Sequence, residues 1–100
     1  MKIPGINTIL KYFQEQPISK AWIFGSFSRG EETVESDIDI MVSFLPDAKV
    51  GLFKFYQIKE DLENLTGRSI DLVTETSLMP FAIENVMSDR KLIYERVSSR

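Results

Sequence analysis

The 100-residue chain contains no histidine and no cysteine. Without histidine there is no imidazole general base, no Ser-His-Asp triad and no usual nitrogen ligand for zinc. Without cysteine there are no disulfides and no thiol chemistry, which fits a cytoplasmic setting. Oxygen ligands remain, and oxygen suits magnesium or manganese. Basic charge is not in excess either. Twelve Lys and Arg against fifteen Asp and Glu leave a formal net charge of −3 and a pI near 4.9, so general nucleic-acid binding is not expected. No apolar run is long enough to span a bilayer, and Met1-Lys2-Ile3-Pro4-Gly5 lacks the apolar core of a signal peptide. No membrane role is expected. There is no Gly-x-x-x-x-Gly-Lys loop, which excludes a P-loop ATPase, and Val42 stands where a calcium loop starting at Asp37 would need its central glycine.

What remains is an ordinary globular composition, enough for one domain over residues 1–100 with one core. Ile3, Ile6, Leu10 and Phe13 recur at helical spacing, predicting a helix over about 5–16 that stops near Pro17. Ala21-Trp22-Ile23-Phe24 reads as a buried strand. Ile38, Ile40, Val42 and Phe44 alternate with Asp37, Asp39, Met41 and Ser43, predicting a strand over about 36–44 with the isoleucines facing a core. A helix over about 51–65 is expected to bury a stripe of Leu52, Phe55, Tyr56, Lys59, Leu62 and Leu65, with Phe53 and Ile58 at its margin, and to stop at Thr66-Gly67. The three aromatics Phe53, Phe55 and Tyr56 are assigned to the core, and Lys59, Glu60, Asp61 and Glu63 to a solvated face. Trp22 and Phe27 could serve packing or partner contacts. A strand over 69–74 carries Asp71, a last helix covers about 79–88 with Ala82, Ile83, Val86 and Met87 as its apolar face, and Lys91–Glu95 is extended. Strands alternating with helices point to an α/β or α+β layer.

The chemistry concentrates in two places. Gly25-Ser26 follows the first strand, and Gly25 supplies the backbone freedom that lets a ligand approach the main chain. Ser26 is placed to cap the helical turn that follows, at an end that attracts phosphate. Ten residues after Ser26 comes Asp37-Ile38-Asp39. On a strand, positions i and i+2 share a face about 6.6 Å apart, so the two carboxylates project together. At an effective dielectric near 20, two like charges about 4 Å apart cost on the order of 4 kcal/mol, a cost that a divalent cation relieves.

The Gly-Ser turn, the spacing and the Asp-x-Asp pair resemble the signature of the polymerase-β-type nucleotidyltransferase superfamily, and most closely its minimal nucleotidyltransferases. Nearly the whole chain takes part in the resemblance. It implies a mixed sheet with helices packed mainly on one face, and a third carboxylate on the neighbouring strand, a place Asp71 fills. It further implies two magnesium (or manganese) ions held by Asp37, Asp39 and Asp71, with Asp71 able to take the proton of the attacking hydroxyl. ATP or another nucleoside triphosphate would have its distal phosphates held by Gly25 and Ser26. Arg29 either adds charge there or pairs with Glu31 or Glu32. Minimal nucleotidyltransferases are typically found as antitoxins beside a helical HEPN-type ribonuclease toxin, which some of them neutralise by transferring AMP to it, so the resemblance implies a type VII-like arrangement with such a partner. Two alternatives stay open: a non-catalytic antitoxin that acts by binding its partner, and transfer to a small molecule such as an aminoglycoside. In 100 residues no extra acceptor domain of the kind larger members carry is expected.

Overall fold

The computed structural model describes residues 3–75 and 86–97. The elements run α1 (Ile6–Gln14), β1 (Ile18–Phe24), α2 (Ser26–Arg29), β2 (Ile38–Phe44), α3 (Leu52–Thr66), β3 (Ile70–Thr74) and β4 (Lys91–Glu95). Each predicted element that lies in the described residues is present. The expected helix over 79–88 falls mostly outside them, and only residues 86–89 are seen, as a helical turn. Among the described residues no helix is long and apolar enough to cross a membrane.

The strands form one mixed sheet in the order β3-β2-β1-β4. β1 pairs antiparallel with both β2 and β4, while β2 and β3 are parallel. A parallel pair needs a long crossover, and α3 supplies it. Its C-terminus is a left-handed Gly67, φ 68°, whose N–H returns to the Glu63 carbonyl.

The strand alternation sorts side chains onto two faces. Ala21, Ile23, Ile38, Ile40, Val42, Ile70 and Leu72 pack against Ile9 and Phe13 of α1 and Ile58 and Leu62 of α3, forming the main core. Phe27 joins it from α2. The opposite face bears Asp39 and Asp71 and, one step along, a smaller cluster of Trp22, Met41 and Val86 flanked by Phe24 and Val73. Met41 is therefore fully buried although it alternates with the core residues. The turn at 86–89 covers it.

The buried stripe of α3 departs from expectation. Ile58 and Leu62 are fully buried and Phe55 packs partly against the core, whereas Leu52 and Tyr56 are exposed and Phe53 is 96% exposed. The apolar residues of this helix wrap most of its circumference, so the choice of face falls to the sheet, which takes the 55/58/62 side. Nor is the charged side merely solvated. Glu63 accepts the Ile70 N–H at 3.0 Å and Lys59 Nζ at 2.9 Å, and Asp61 accepts the Tyr12 hydroxyl at 2.6 Å, tying α3 to α1.

Candidate functional site

The site lies at the end of the sheet where β1 finishes and β2 and β3 begin. Asp39 and Asp71 are register partners on the parallel pair, and Phe24, the last residue of β1, is the partner of Asp39 on the other side. Gly25 follows directly. Several contacts pin this end. The Ile38 N–H donates to the Ser69 carbonyl at 3.0 Å, Arg68 Nη1 donates to the Ser36 carbonyl at 3.1 Å, and Glu63 holds the amide of Ile70, the residue before Asp71.

Asp39 is half-buried, while Asp37 and Asp71 are exposed. Burial, then the charges of Asp71 and Asp37, then a hydrogen bond with Asp71 push the Asp39 carboxyl up to about 6, opposed by the positive charge of Arg29. None of the three aspartates forms an ion pair with a cation among the described residues. A half-buried and an exposed carboxylate side by side, with no cation ion-paired to either among the described residues, are a donor set that fits a hard divalent ion. The fit is centred on two residues. Asp37 sits just before the first residue of β2, not on the strand as expected, and acts on Asp39 through its charge. Among the described residues no three carboxylates close into one metal-holding group.

Gly25 belongs to this site by necessity. Its φ of 72° and ψ of −150° suit glycine, and a Cβ built there would collide with Asp39 Oδ2. The main chain thus runs against the carboxylate that the strand pairing presents. Ser26 does not cap α2. It is the first helical residue, Gly25 holds the cap position, and no side chain caps the helix. The short turn is closed by Arg29 N–H to the Gly25 carbonyl, 3.1 Å.

Arg29 is tied down. Its Nε donates to Glu31 at 2.7 Å and its Nη1 to Asp89 at 2.6 Å. Glu31 is one of the two partners expected; Asp89, sixty residues away, carried no sequence signal. Buried Ser28 also donates its hydroxyl to the Asp89 carbonyl. The turn at 86–89 therefore anchors the Gly-Ser segment. A groove of about 750 Å³ between β2, β3 and the start of α3 is lined by Val42, Phe44, Phe55, Tyr56 and Leu72. It opens near the far ends of β2 and β3, away from the aspartates.

Residues 7–99 match the family described as Polymerase beta, Nucleotidyltransferase. The protein adenylyltransferase MntA of Thermococcus cleftensis is 39% identical over 72 residues, which are 72% of this chain and 69% of that one. A chain of a solved toxin–antitoxin with AMP-PNP superposes with a TM-score of 0.77 at 22% identity, covering 91% of this chain and 73% of its counterpart. A chain from tri-AMPylated Shewanella oneidensis HEPN toxin in complex with MNT antitoxin superposes at 0.69 and 20% identity, covering 92% and 71%. At these identities the two structures establish the fold.

Proposed function

The chain belongs to the polymerase β nucleotidyltransferase family, and from that premise we propose that it transfers AMP from ATP to a side-chain hydroxyl of a HEPN-type toxin, which it thereby neutralises. Nucleotidyl transfer itself follows from the family and from the protein adenylyltransferase relative. The nucleotide, the metal and the acceptor are the proposal. One observation carries it: Asp39 and Asp71 meet across parallel strands with the Gly25 main chain pressed against Asp39.

In this reading the acceptor oxygen attacks the α-phosphorus, the bond from that phosphorus to the bridging oxygen breaks, and pyrophosphate leaves. Such chemistry demands positioning and charge neutralisation more than covalent help. Asp39 and Asp71, with Asp37 beside them, would hold magnesium or manganese, which when bound lowers the pKa of the attacking hydroxyl and neutralises the triphosphate. Asp71 is exposed and can accept the hydroxyl proton, a role no histidine is present to fill. Gly25 lets the triphosphate approach the backbone, and Ser26 offers its amide and hydroxyl to the distal phosphates. The superposed toxin–antitoxin complexes, one of them tri-AMPylated, support the choice of nucleotide and acceptor.

The test is a single-turnover assay with α-labelled ATP, magnesium and a co-expressed HEPN-type toxin, comparing the wild type with Asp39→Asn. Label should pass to the toxin with the wild type and fall by at least about a hundredfold with the variant, the scale of losing one preorganised charge at a reaction centre. Equal labelling would overturn the mechanism. Neutralisation that survives loss of all three aspartates would show an antitoxin that works by binding.

A further inference from the structure

We infer that Arg90 binds the distal phosphates of the nucleoside triphosphate; the inference rests on the nucleotidyl-transfer reading above. The described residues include four arginines, and three of them donate to at least one protein oxygen among those residues. Arg29 pairs with Glu31 and Asp89. Arg68 donates to the Ser36 carbonyl. Arg96 donates to the carbonyls of Ile18, Phe13, Gln14 and Gln16. Arg90 differs. Its guanidinium lies 4.7 Å from the centroid of the Trp22 ring, and among the described residues no carboxylate or carbonyl accepts from it. A half-buried guanidinium with five N–H donors and no acceptor among the described residues is poised for an anion, and the aromatic face holds it in place.

Its position suits this anion. Trp22 shares the face of the sheet that bears Asp39, because Trp22 pairs with Met41 and Phe24 with Asp39. The residue before Arg90 is Asp89, which fastens both Ser28 and Arg29. The main chain leading to Arg90 is thereby fixed to the Gly25-Ser26 segment. Arg90 directly precedes β4, whose Lys91 pairs with Ile23, next to the Phe24 that partners Asp39, so Arg90 stands across β1 from the metal-ligand pair. A triphosphate reacting at its α-phosphate has two more phosphates to seat beyond that pair. Arg29 already donates to two acids, which offset its charge and occupy its Nε and Nη1.

The experiment is isothermal titration calorimetry of ATP and, separately, AMP with magnesium, on the wild type, Arg90→Gln and Arg90→Lys. Arg90→Gln should weaken ATP binding about ten- to a hundredfold, the worth of a charge-assisted hydrogen bond, and leave AMP binding unchanged. Arg90→Lys should recover part of the loss. ATP binding by Arg90→Gln at the wild-type Kd would overturn the inference, as would an equal loss for ATP and AMP. A wild type that fails to bind ATP at all would remove the nucleotidyl-transfer reading and this one with it.

Discussion

At the scale of single residues, Gly25 and Asp39 form one unit. The backbone at 25 is left-handed, and the space a methyl would need is filled by the Asp39 carboxylate. Gly25→Ala should therefore lower stability by about 1–3 kcal/mol, the usual cost of a strained backbone position. It should also displace Asp39 and abolish transfer; urea unfolding and the labelling assay read the two effects. Asp39 also sets a pH dependence. Its carboxyl titrates near 6 when folded against an ordinary value of 3.8. Between those values the folded chain holds a proton that the unfolded chain has released, so stability falls as pH rises, with the full penalty above 6. Asp39→Asn lacks this penalty. Without divalent cations its stability, read from thermal melts, should match the wild type near pH 3.5 and exceed it at pH 8, by on the order of 1 kcal/mol after allowing for solvent screening at a half-exposed group. A variant equally stabilised at both pH values would count against the charge explanation.

At the scale of elements, α3 offers the sharpest contrast. Ile58→Ala should cost about 2–4 kcal/mol by leaving a core cavity, while Phe53→Ala should stay within about 0.5 kcal/mol because its ring is exposed; chemical denaturation of both variants checks this. Local order was legible in the sequence wherever one short-range pattern dominated. The period-2 run over 38–44, the Thr66-Gly67 stop and the Asp-centred β3 are all where the pattern puts them. The face of α3 was not legible. Leu52, Phe53, Phe55, Tyr56, Ile58, Leu62 and Leu65 leave two overlapping stripes, and only the sheet chooses between them. The burial of Met41 was hidden for the same reason, since its cover comes from the 86–89 turn, forty-five residues on.

At the scale of the whole molecule, the site is assembled from distant pieces. Its core of Gly25, Asp39 and Asp71 carried a sequence signal because each sits at a strand end with diagnostic neighbours. The parts that hold it did not. Asp89 on Arg29, Arg68 on Ser36 and Glu63 on the Ile70 amide are tertiary contacts with no local signature. The same long-range logic governs Arg96, which follows β4 and donates to four carbonyls at the end of α1 and the start of β1. Arg96→Ala should cost about 1–3 kcal/mol, the penalty for leaving such acceptors unpartnered. A thermal melt that does not move would show that water satisfies those carbonyls instead.

That clasp has a kinetic counterpart. β4 is an edge strand, and its Tyr94 packs on Phe13 while Arg96 closes the last turn of the same helix. Peeling β4 away would uncap α1 in the same event. In native-state hydrogen exchange the amides of the two segments should lose protection at one shared rate, so that the helix near one end of the chain and the strand near the other breathe as a single foldon.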